Sequence, residues 1–118
     1  MKYDQPTLYI YIIMKQIVDE IAIKLRDSLR ESISGFEGLY VFGSQVRGDA
    51  TADSDIDIMV LFDNIKDKDR PEYYRVLSKI MYDYYGNDLD VHRRTREELE
   101  CNYRYHDEVV NKGVFYGA

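Results

Sequence analysis

The stretches that decide the fold are Leu39-Tyr-Val-Phe-Gly-Ser44 and Asp55-Ile-Asp-Ile-Met-Val-Leu-Phe62. The first is a short apolar run typical of a buried strand, and it stops at Gly43. In the second, Ile56–Phe62 is continuously apolar, which is typical of a central strand buried on both faces. The polar and small residues 45–54 between them predict a turn, with one helical turn near Gln45–Arg47.

Helical periodicity flanks these two strands. Apolar residues recur at helical spacing over Leu8–Ile33, which predicts one long amphipathic helix that ends at Ser34-Gly35 and covers a sheet. Pro71 is predicted to open a second helix that closes at Gly86-Asn87. The predicted inward face of this second helix consists of Tyr74, Leu77, Ser78, Met81, Tyr82 and Tyr85.

The rest of the chain predicts a strand, a helix and a short extended tail. Asp88–His92 is typical of a third strand, and Val114–Tyr116 of a last extended piece. Thr95 and Glu98 form a capping-box pattern, which predicts a helix from there to about Asn111. We therefore predict an α/β (α+β) fold over residues 1–118, a single domain with a small mixed sheet of three to four strands flanked by helices.

Length, composition and net charge limit the number of domains and the class of ligand. A chain of 118 residues, 45% of them hydrophobic, suits one domain with one core. Its 16 basic and 22 acidic residues give a net charge of −6. This charge argues against DNA or RNA as the main partner, because nucleic-acid binding normally needs a basic surface. It is compatible with ATP, since Mg²⁺ can lie between carboxylates and phosphates.

Cysteine usage and the N-terminal sequence predict a cytoplasmic protein. Cys101 is the only cysteine, which excludes an intramolecular disulfide and a cysteine-based zinc site and fits a reducing compartment. The N-terminus lacks the order of basic region, apolar core and cleavage site that marks a signal peptide. The apolar segment Leu8–Met14 is too short to span a bilayer, so we expect no membrane association.

Two aspartates at the start of the second strand are the first candidate site residues. Alternate side chains of a strand share a face, so Asp55 and Asp57 are expected to project together while Ile56 points into the core. Two adjacent carboxylates repel each other, and a hard divalent cation relieves that repulsion. Because Mg²⁺ commonly binds one or two carboxylates together with phosphate oxygens, the pair predicts a metal site for a nucleotide.

The Gly43-Ser44 step predicts a phosphate-binding turn beside this metal site. Glycine lacks a Cβ, so a phosphate can approach the backbone closely, and N–H groups at a turn or helix start attract anions. The Ser44 hydroxyl adds a further donor. Arg47 follows closely and could neutralise phosphate charge, although a surface salt bridge is the alternative interpretation.

A third carboxylate is expected if two metal ions, about 4 Å apart, clamp the attacking and leaving oxygens. Asp88 and Asp90 share a face of the predicted third strand. We favour Asp90, because Leu89 and Val91 then pack inward while Asp88 lies at the strand's start, where it could simply cap a turn. The choice between the two aspartates stays open at this point.

Gly43-Ser44, residues 45–54 and then Asp55-x-Asp57 together resemble the signature of the DNA polymerase β-like nucleotidyltransferase superfamily. The fuller string Gly-Ser-x-x-Arg-Gly, then Ser-Asp-Ile-Asp and an apolar strand, is similar to its smallest branch, the minimal nucleotidyltransferases. Both motif elements at this spacing between two apolar strands make the resemblance specific, and it covers most of the chain.

The resemblance implies a Mg²⁺-dependent transfer of AMP from ATP, with two ions expected and pyrophosphate released. It also implies a partner, because small prokaryotic members are commonly antitoxins paired with HEPN-type toxins, and active ones modify a toxin tyrosine with AMP. The chain would then belong to a hetero-oligomer. The implied catalytic residues are Ser44, Asp55, Asp57 and Asp90, with the three aspartates as metal ligands and Gly43, Ser44 and Arg47 near the phosphates.

Two other functions stay open from the sequence. One is a catalytically silent antitoxin that neutralises its partner by contact alone. The other is a nucleotidyltransferase that acts on a small alcohol, although 118 residues leave little chain for walls around such an acceptor. A polymerase or tRNA-directed role fits worst, given the acidic charge.

The remaining features bear on partners. The chain has 12 tyrosines, and tyrosine is favoured at protein interfaces, which favours a protein partner. The grouped tyrosines are Tyr82, Tyr84, Tyr85, Tyr103 and Tyr105. Arg93, Arg94 and Arg96 form a basic cluster, which is either a solvated loop or an electrostatic handle for a triphosphate or an acidic partner. His92 and His106 are isolated and are interpreted as surface or core-edge residues.

Overall fold

The computed structural model describes residues 5–51 and 53–118, and the side chains of residues 12–51, 53–102 and 104–118. The part of the predicted first-helix face that precedes Ile12, and the side chain of Tyr103, lie outside this description. The helices and strands in chain order are α1 (Gln5–Ser32), β1 (Phe36–Phe42), α2 (Ser44–Arg47), β2 (Ile56–Phe62), α3 (Arg70–Asp83), β3 (Leu89–Thr95), α4 (Arg96–Cys101), α5 (Tyr103–Tyr105), a π-helix (His106–Asn111) and β4 (Val114–Gly117).

The four strands form one mixed sheet in the order β3-β2-β1-β4. β1 is antiparallel to β2 and to β4, and β2 is parallel to β3. The predicted mixed sheet flanked by helices is therefore confirmed. β2 is central, and all of its residues except Asp57 are buried, as its continuous apolar sequence predicts.

One face of the sheet is covered by α1 and α3. Leu39 and Val41 of β1 and Ile58 and Val60 of β2 point to this face and are almost completely buried. The residues of α1 that pack here are Val18, Ile21, Ala22, Leu25 and Leu29, with Ile33 just beyond the helix. These residues lie three or four positions apart, so the predicted amphipathic face of the long helix is confirmed where the structure describes it.

The opposite face carries a second, smaller apolar cluster. Phe42, Met59 and Leu61 are buried there beneath Leu99 of α4 and Val109 of the π-helix. The sheet is therefore covered on both faces, and its second layer comes from the C-terminal helical segments. This arrangement explains why β2 has no polar residue between Ile58 and Phe62.

The predicted inward face of α3 is wrong except at Leu77. The helix buries Tyr73, Val76, Leu77 and Ile80 instead. The sequence pattern fits both choices of inward helix face, because tyrosine has an apolar body and a polar tip and is tolerated on a buried or an exposed face. The predicted inward residues that are exposed are Tyr74, Ser78, Met81, Tyr82 and Tyr85, of which Tyr82 and Tyr85 are 83% and 94% exposed.

The helix predicted from Thr95 to about Asn111 is interrupted at Asn102. This residue is extended, with φ −109° and ψ 98°. Its side-chain oxygen accepts a hydrogen bond from the Tyr105 backbone N–H at 3.2 Å, so Asn102 caps the next helical segment. The chain then continues as α5 and the π-helix.

Two strands extend beyond their predicted ends, because sheet pairing rather than local pattern sets their length. β1 begins at Phe36, three residues before Leu39, and pairs with β2 from its first residue. β3 continues past His92 to Thr95, which pairs with Phe62. Within the described residues, no helix combines the length and apolar character needed to cross a membrane.

The predicted capping box at the start of α4 is present and gives a stability test. The Glu98 N–H donates to Thr95 Oγ1 at 3.1 Å, and the Thr95 N–H donates to Glu98 Oε1 at 3.0 Å. Thr95→Ala should lower the free energy of unfolding by about 1 kcal/mol, measured by urea denaturation, because the side chain no longer caps the helix. Thr95→Ser is the control and should lose much less, and equal losses in both variants would contradict this role.

Candidate active site

The candidate site lies at the edge of the sheet where β1 ends and where β2 and β3 begin. Asp57 is paired with Phe42 of β1 on one side and with Asp90 of β3 on the other. Paired residues of neighbouring strands lie about 5 Å apart and point to the same face. Asp57 and Asp90 therefore stand side by side, on the face covered by α4 and the π-helix, and Asp55 immediately precedes β2.

The electrostatics of Asp57 indicate that the three carboxylates are close neighbours. Partial burial raises the pKa of Asp57 above its usual value, and the negative charges of Asp90 and Asp55 raise it further. His92 and Arg47 oppose this effect and lower the pKa of the same carboxyl group. Asp57 is thus a carboxylate held in a position that disfavours its charge.

The structure brings Asp90, and not Asp88, beside Asp57. Asp88 precedes β3, and its backbone carbonyl accepts a hydrogen bond from the Ile56 N–H at 2.8 Å. The residue lines a small pocket together with Ile17 of α1, on the opposite side of the sheet. The backbone position of Asp88 therefore fixes the start of β2, while Asp90 shares the face of Asp57.

Gly43 is required by the close packing of the turn against Asp57. Its φ of 78° and ψ of −147° lie in a region that is close to glycine-only. A Cβ on Gly43 would also clash with the Asp57 carboxylate. Both the backbone conformation and the space beside Asp57 therefore explain the glycine, in addition to any approach by a phosphate.

Ser44 begins α2, a single helical turn. The Val46 and Arg47 N–H groups donate to the Gly43 carbonyl at 3.1 and 3.0 Å, and Gly48 ends the turn in a left-handed conformation. The N–H groups at the start of such a turn have no partner within the helix, so they are available to an anion. The predicted helical turn after the first strand is confirmed.

The segment after α2 returns the chain to β2 through a hydrogen-bonded turn. The Thr51 N–H donates to Ser54 Oγ at 2.8 Å, and the Ser54 N–H donates to the Thr51 carbonyl at 3.1 Å. This turn positions Asp55 directly before the first residue of β2. The residues between Gly43-Ser44 and Asp55 therefore form the single helical turn α2, followed by a loop in which Thr51 and Ser54 are hydrogen-bonded.

Arg47 is held by two carboxylates. Its Nη1 lies 2.7 Å from Glu108 Oε1, and its Nε lies 3.5 Å from Asp49 Oδ2. The salt-bridge interpretation of Arg47 is thus observed. A guanidinium has five N–H donors, so these contacts leave donors for a phosphate.

The carboxylates of the candidate site are chemically suited to bind a divalent cation. Among the described residues, no three aspartate, glutamate, histidine or cysteine side chains are already arranged around one point as a metal centre. Yet Asp57 and Asp90 supply the hard oxygen ligands that Mg²⁺ prefers, and the pKa of Asp57 is raised by burial and by the neighbouring carboxylates, both of which disfavour its charge in the absence of a cation. Asp55, Asp57 and Asp90 are therefore the residues that would hold it.

Two residues at this site were not predicted from the sequence. His92 Nε2 lies 3.3 Å from Asp90 Oδ2, and its ring packs 6.3 Å from that of Phe42. The strand period could have found it, because His92 follows Asp90 by two residues and shares its face. Glu108 could not be found in this way, since it reaches Arg47 from the distant π-helix.

The predicted basic cluster is dispersed in the structure. The Arg93 guanidinium packs on the rings of Tyr73 and Tyr74, 5.4 and 5.7 Å from their centroids. Arg94 Nη1 donates to the Arg93 carbonyl at 2.7 Å, and Arg96 Nη2 lies 3.4 Å from Glu37 Oε2. The three arginines therefore have different partners and do not form one basic binding site.

A groove of about 570 Å³ lies on the other side of the sheet from the carboxylates. It is bounded by α1, by the α2 turn and by the β4 strand. Its lining residues include Ile12, Val18, Val41, Val46, Val114 and Tyr116. The carboxylates instead lie at an open edge, where Asp90 is 52% exposed, so any large substrate would have to form part of its own binding site.

Comparison with known proteins assigns the family. Residues 22–116 match the sequence profile described as "Nucleotidyltransferase domain". This chain belongs to the nucleotidyltransferase domain family. The matched region contains all of the candidate site residues, from Gly43 to Asp90. No curated protein matched the chain in the corresponding search.

Solved structures share the fold. A nucleotidyltransferase candidate from Sulfolobus solfataricus is 23% identical, with a TM-score of 0.58 over 98% of this chain and 90% of that chain. A mutant of the MntA-HpeT toxin–antitoxin is 26% identical, with a TM-score of 0.53 over 86% of this chain and 73% of that one. A toxin–antitoxin with AMP-PNP is 27% identical, with a TM-score of 0.53 over 84% and 73%.

The packing of Gly43 against Asp57 gives a stability test with a matched control. Gly43→Ala should lower the free energy of unfolding by about 2–3 kcal/mol, because it adds both backbone strain and a clash with the Asp57 carboxylate. Gly48 also has a positive φ, of 84°, but a Cβ there would meet nothing within 4 Å. Gly48→Ala should therefore cost only about 1 kcal/mol, and equal losses in urea denaturation would contradict the clash.

The raised pKa of Asp57 predicts that replacing this carboxylate with a neutral side chain stabilises the fold, and that the gain depends on pH. The folded state binds the Asp57 proton more tightly than the unfolded state, so the charged form destabilises the fold at pH 7. Asp57→Asn should raise the Tm at pH 7, and the gain should vanish as the pH falls below the ordinary value of about 3.8, where Asp57 is protonated in both the folded and the unfolded state.

The control for this experiment is Asp63→Asn, at an exposed position just beyond the far end of β2. It removes the same charge away from the other two carboxylates. Thermal unfolding of both variants across the acid range should show a gain for Asp57→Asn alone. A Tm at pH 7 that is unchanged or lowered in Asp57→Asn would mean that burial and the neighbouring carboxylates do not make the charged form of Asp57 destabilising.

Proposed function

We propose that this chain transfers AMP from ATP to a hydroxyl group of a partner protein, as the antitoxin that inactivates a HEPN-type toxin by modifying a tyrosine. The observation that carries the proposal is the pairing of Asp57 with Asp90, next to Asp55 and to the Gly43-Ser44 turn. Carboxylates for a divalent cation beside free backbone N–H groups match what nucleoside triphosphate binding requires. The reaction needs ATP, so we assign the protein to the cytoplasm.

In this proposal each site residue has a defined task. Ser44 and the neighbouring N–H groups bind the β- and γ-phosphates, and Arg47 offers its remaining donors to the same phosphates. Asp55, Asp57 and Asp90 hold Mg²⁺, expected as two ions, which when bound supplies electrostatic stabilisation of the charge on the transferring group. Asp90 also orients the acceptor hydroxyl.

The transfer balances as one displacement at phosphorus. The acceptor oxygen forms a bond to the α-phosphorus, the bond between that phosphorus and the bridging oxygen to the β-phosphate breaks, and pyrophosphate leaves. The hydroxyl proton passes to Asp90 or to water beside it. Positioning and charge stabilisation suffice for phosphoryl-type chemistry, so no covalent enzyme intermediate is required.

Two observations support a protein acceptor. The site is open at the sheet edge, so a large acceptor can reach it and complete its walls. Tyr74, Met81 and Tyr82 of α3 and Tyr85 just beyond it are exposed, and large exposed apolar side chains are typical of a protein interface. Solved relatives at 26% and 27% identity are toxin–antitoxin proteins, one of them with AMP-PNP, which favours a toxin as the partner.

These exposed side chains also keep the contact-only antitoxin open as a second candidate. In that case the chain would neutralise a partner by surface contact alone. It would bind a nucleotide without transferring AMP. The same transfer assay separates these two functions.

The assay mixes the protein with Mg²⁺ and ATP labelled at the α-phosphate, in a lysate of the source cells. We expect a labelled protein band that the lysate without the added protein lacks, and no such additional band with ATP labelled at the γ-phosphate, because AMP rather than phosphate is transferred. Asp57→Asn and Asp90→Asn should each lose activity about a thousand-fold, which corresponds to several kcal/mol of lost charge stabilisation.

Asp88→Asn is the matched control, since it neutralises a carboxylate two residues before Asp90 that lies outside β3 and is not among the charges that shift the pKa of Asp57. It should keep near wild-type transfer. Transfer that survives in Asp57→Asn would contradict the proposed site, and label from the γ-phosphate would indicate a kinase. ATP binding without any labelled protein would favour contact-only neutralisation or a small alcohol as acceptor.

A further inference from the structure

A long-range ion pair joins the phosphate-binding turn to the π-helix. Arg47 Nη1 donates to Glu108 Oε1 at 2.7 Å, although the two residues are 61 positions apart in the chain. A hydrogen bond between two charged groups at this distance is among the stronger side-chain contacts. It links the last residue of α2 to a segment of unusual helical geometry, and π-helical turns occur frequently at functional sites.

The position of Glu108 is fixed by its neighbour. Val109 is completely buried under the sheet, in the cluster that contains Phe42 and Met59. Its carbonyl accepts a hydrogen bond from the Gly113 N–H at 2.9 Å, where the chain leaves the π-helix for β4. The backbone that carries Glu108 is therefore anchored next to the end of β1, which is where the Gly43-Ser44 turn begins.

Arg47 depends on this contact for its orientation. Its side chain is 47% exposed, and an arginine side chain without a partner samples many rotamers. The second contact, Nε to Asp49 Oδ2 at 3.5 Å, is long. With Glu108 in place the guanidinium lies close enough to Asp57 to lower the pKa of that carboxyl group. The cation is thus held beside the carboxylates with several N–H donors still free.

We infer that Glu108 is a positioning residue: it holds the Arg47 guanidinium at the phosphate-binding turn, so that a triphosphate meets a cation that is already ordered. The inference rests on the proposed nucleotide binding and names a residue that neither sequence motif contains. Glu108 does not itself contact the nucleotide, because two anions in contact would repel. Its contribution is to remove the entropic cost of ordering Arg47 when the nucleotide binds.

The test measures the dissociation constant of Mg²⁺–AMP-PNP by calorimetry on the full chain. Glu108→Ala should raise it about five-fold, because Arg47 must then be ordered on binding. Glu108→Gln keeps an oxygen that accepts from Arg47 and should recover part of the loss, to about two-fold. In a transfer assay the change should fall more on the KM for ATP than on kcat.

Two further variants separate positioning from a general structural role. Asp107→Asn changes the adjacent carboxylate of the π-helix, which shares Lys112 with Glu108, at 3.3 Å from Asp107 Oδ2 and 3.6 Å from Glu108 Oε2. The Asp107 carboxylate is not a partner of Arg47, so this variant should bind AMP-PNP like the wild type. In an Arg47→Ala background, Glu108→Ala should add no further loss, because the residue acts only through Arg47. Thermal unfolding of each variant shows whether the fold is kept.

The outcomes are distinct. An unchanged or tighter dissociation constant in Glu108→Ala, with wild-type binding intact, would overturn the inference alone; tighter binding would mean that Glu108 competes with the phosphates for Arg47. A further loss in the Arg47→Ala background would also overturn it. If the wild type itself did not bind AMP-PNP, the proposed function would fail, and the inference with it.

Discussion

The constraint on which the site depends is the register between β2 and β3. Because the two strands are parallel and Asp57 is paired with Asp90, two carboxylates are fixed side by side at the edge of an otherwise apolar sheet. The repulsion between them cannot relax by moving either backbone, since β2 is buried on both faces immediately beyond Asp57. The fold thus maintains a concentration of negative charge that favours a cation, at the expense of its own stability.

The same register explains the neighbouring turn. Asp57 is paired on its other side with Phe42, the last residue of β1, so the residue that follows Phe42 must leave room for the carboxylate. Only glycine satisfies both that space and the backbone angles at this point. The glycine of the motif is therefore a consequence of strand pairing as much as of phosphate approach, and the two explanations predict the same residue.

The central motif was predictable because its signals are local. Ile56–Phe62 has the same bounds in the sequence prediction and in the structure, and the capping box of Thr95 and Glu98 is present. The site roles of Asp55 and Asp57 were inferred from strand alternation and remain a proposal, although the structure does bring them together with Asp90.

The errors arose where the outcome depends on distant contacts. Adjacent tyrosines in α3 permit two helical phases, and only packing against α1 and the sheet selects Tyr73 for burial over Tyr74. The helix predicted up to Asn111 breaks because Asn102 caps a new segment, which no periodicity reveals. Glu108 was not predictable for the same reason, because its partner Arg47 lies 61 positions away in the chain. Sequence patterns thus located the strands and the motif, whereas side-chain partners across the sheet required the structure.

The strand order leaves β3 and β4 as the two free edges of the sheet, and the residues on them limit what those edges can do. An open edge is a template on which another molecule's strand can add, and long apolar edges lead to aggregation. β4 has only four residues, and the outer half of β3 carries Arg93 and Arg94 in succession. In the alignments that place these residues opposite each other, two β3 edges would bring arginine against arginine, and like charges directly opposite each other are destabilising. Arg93 and Arg94, which the sequence grouped with Arg96 as a basic cluster, therefore disfavour the addition of another strand at this edge.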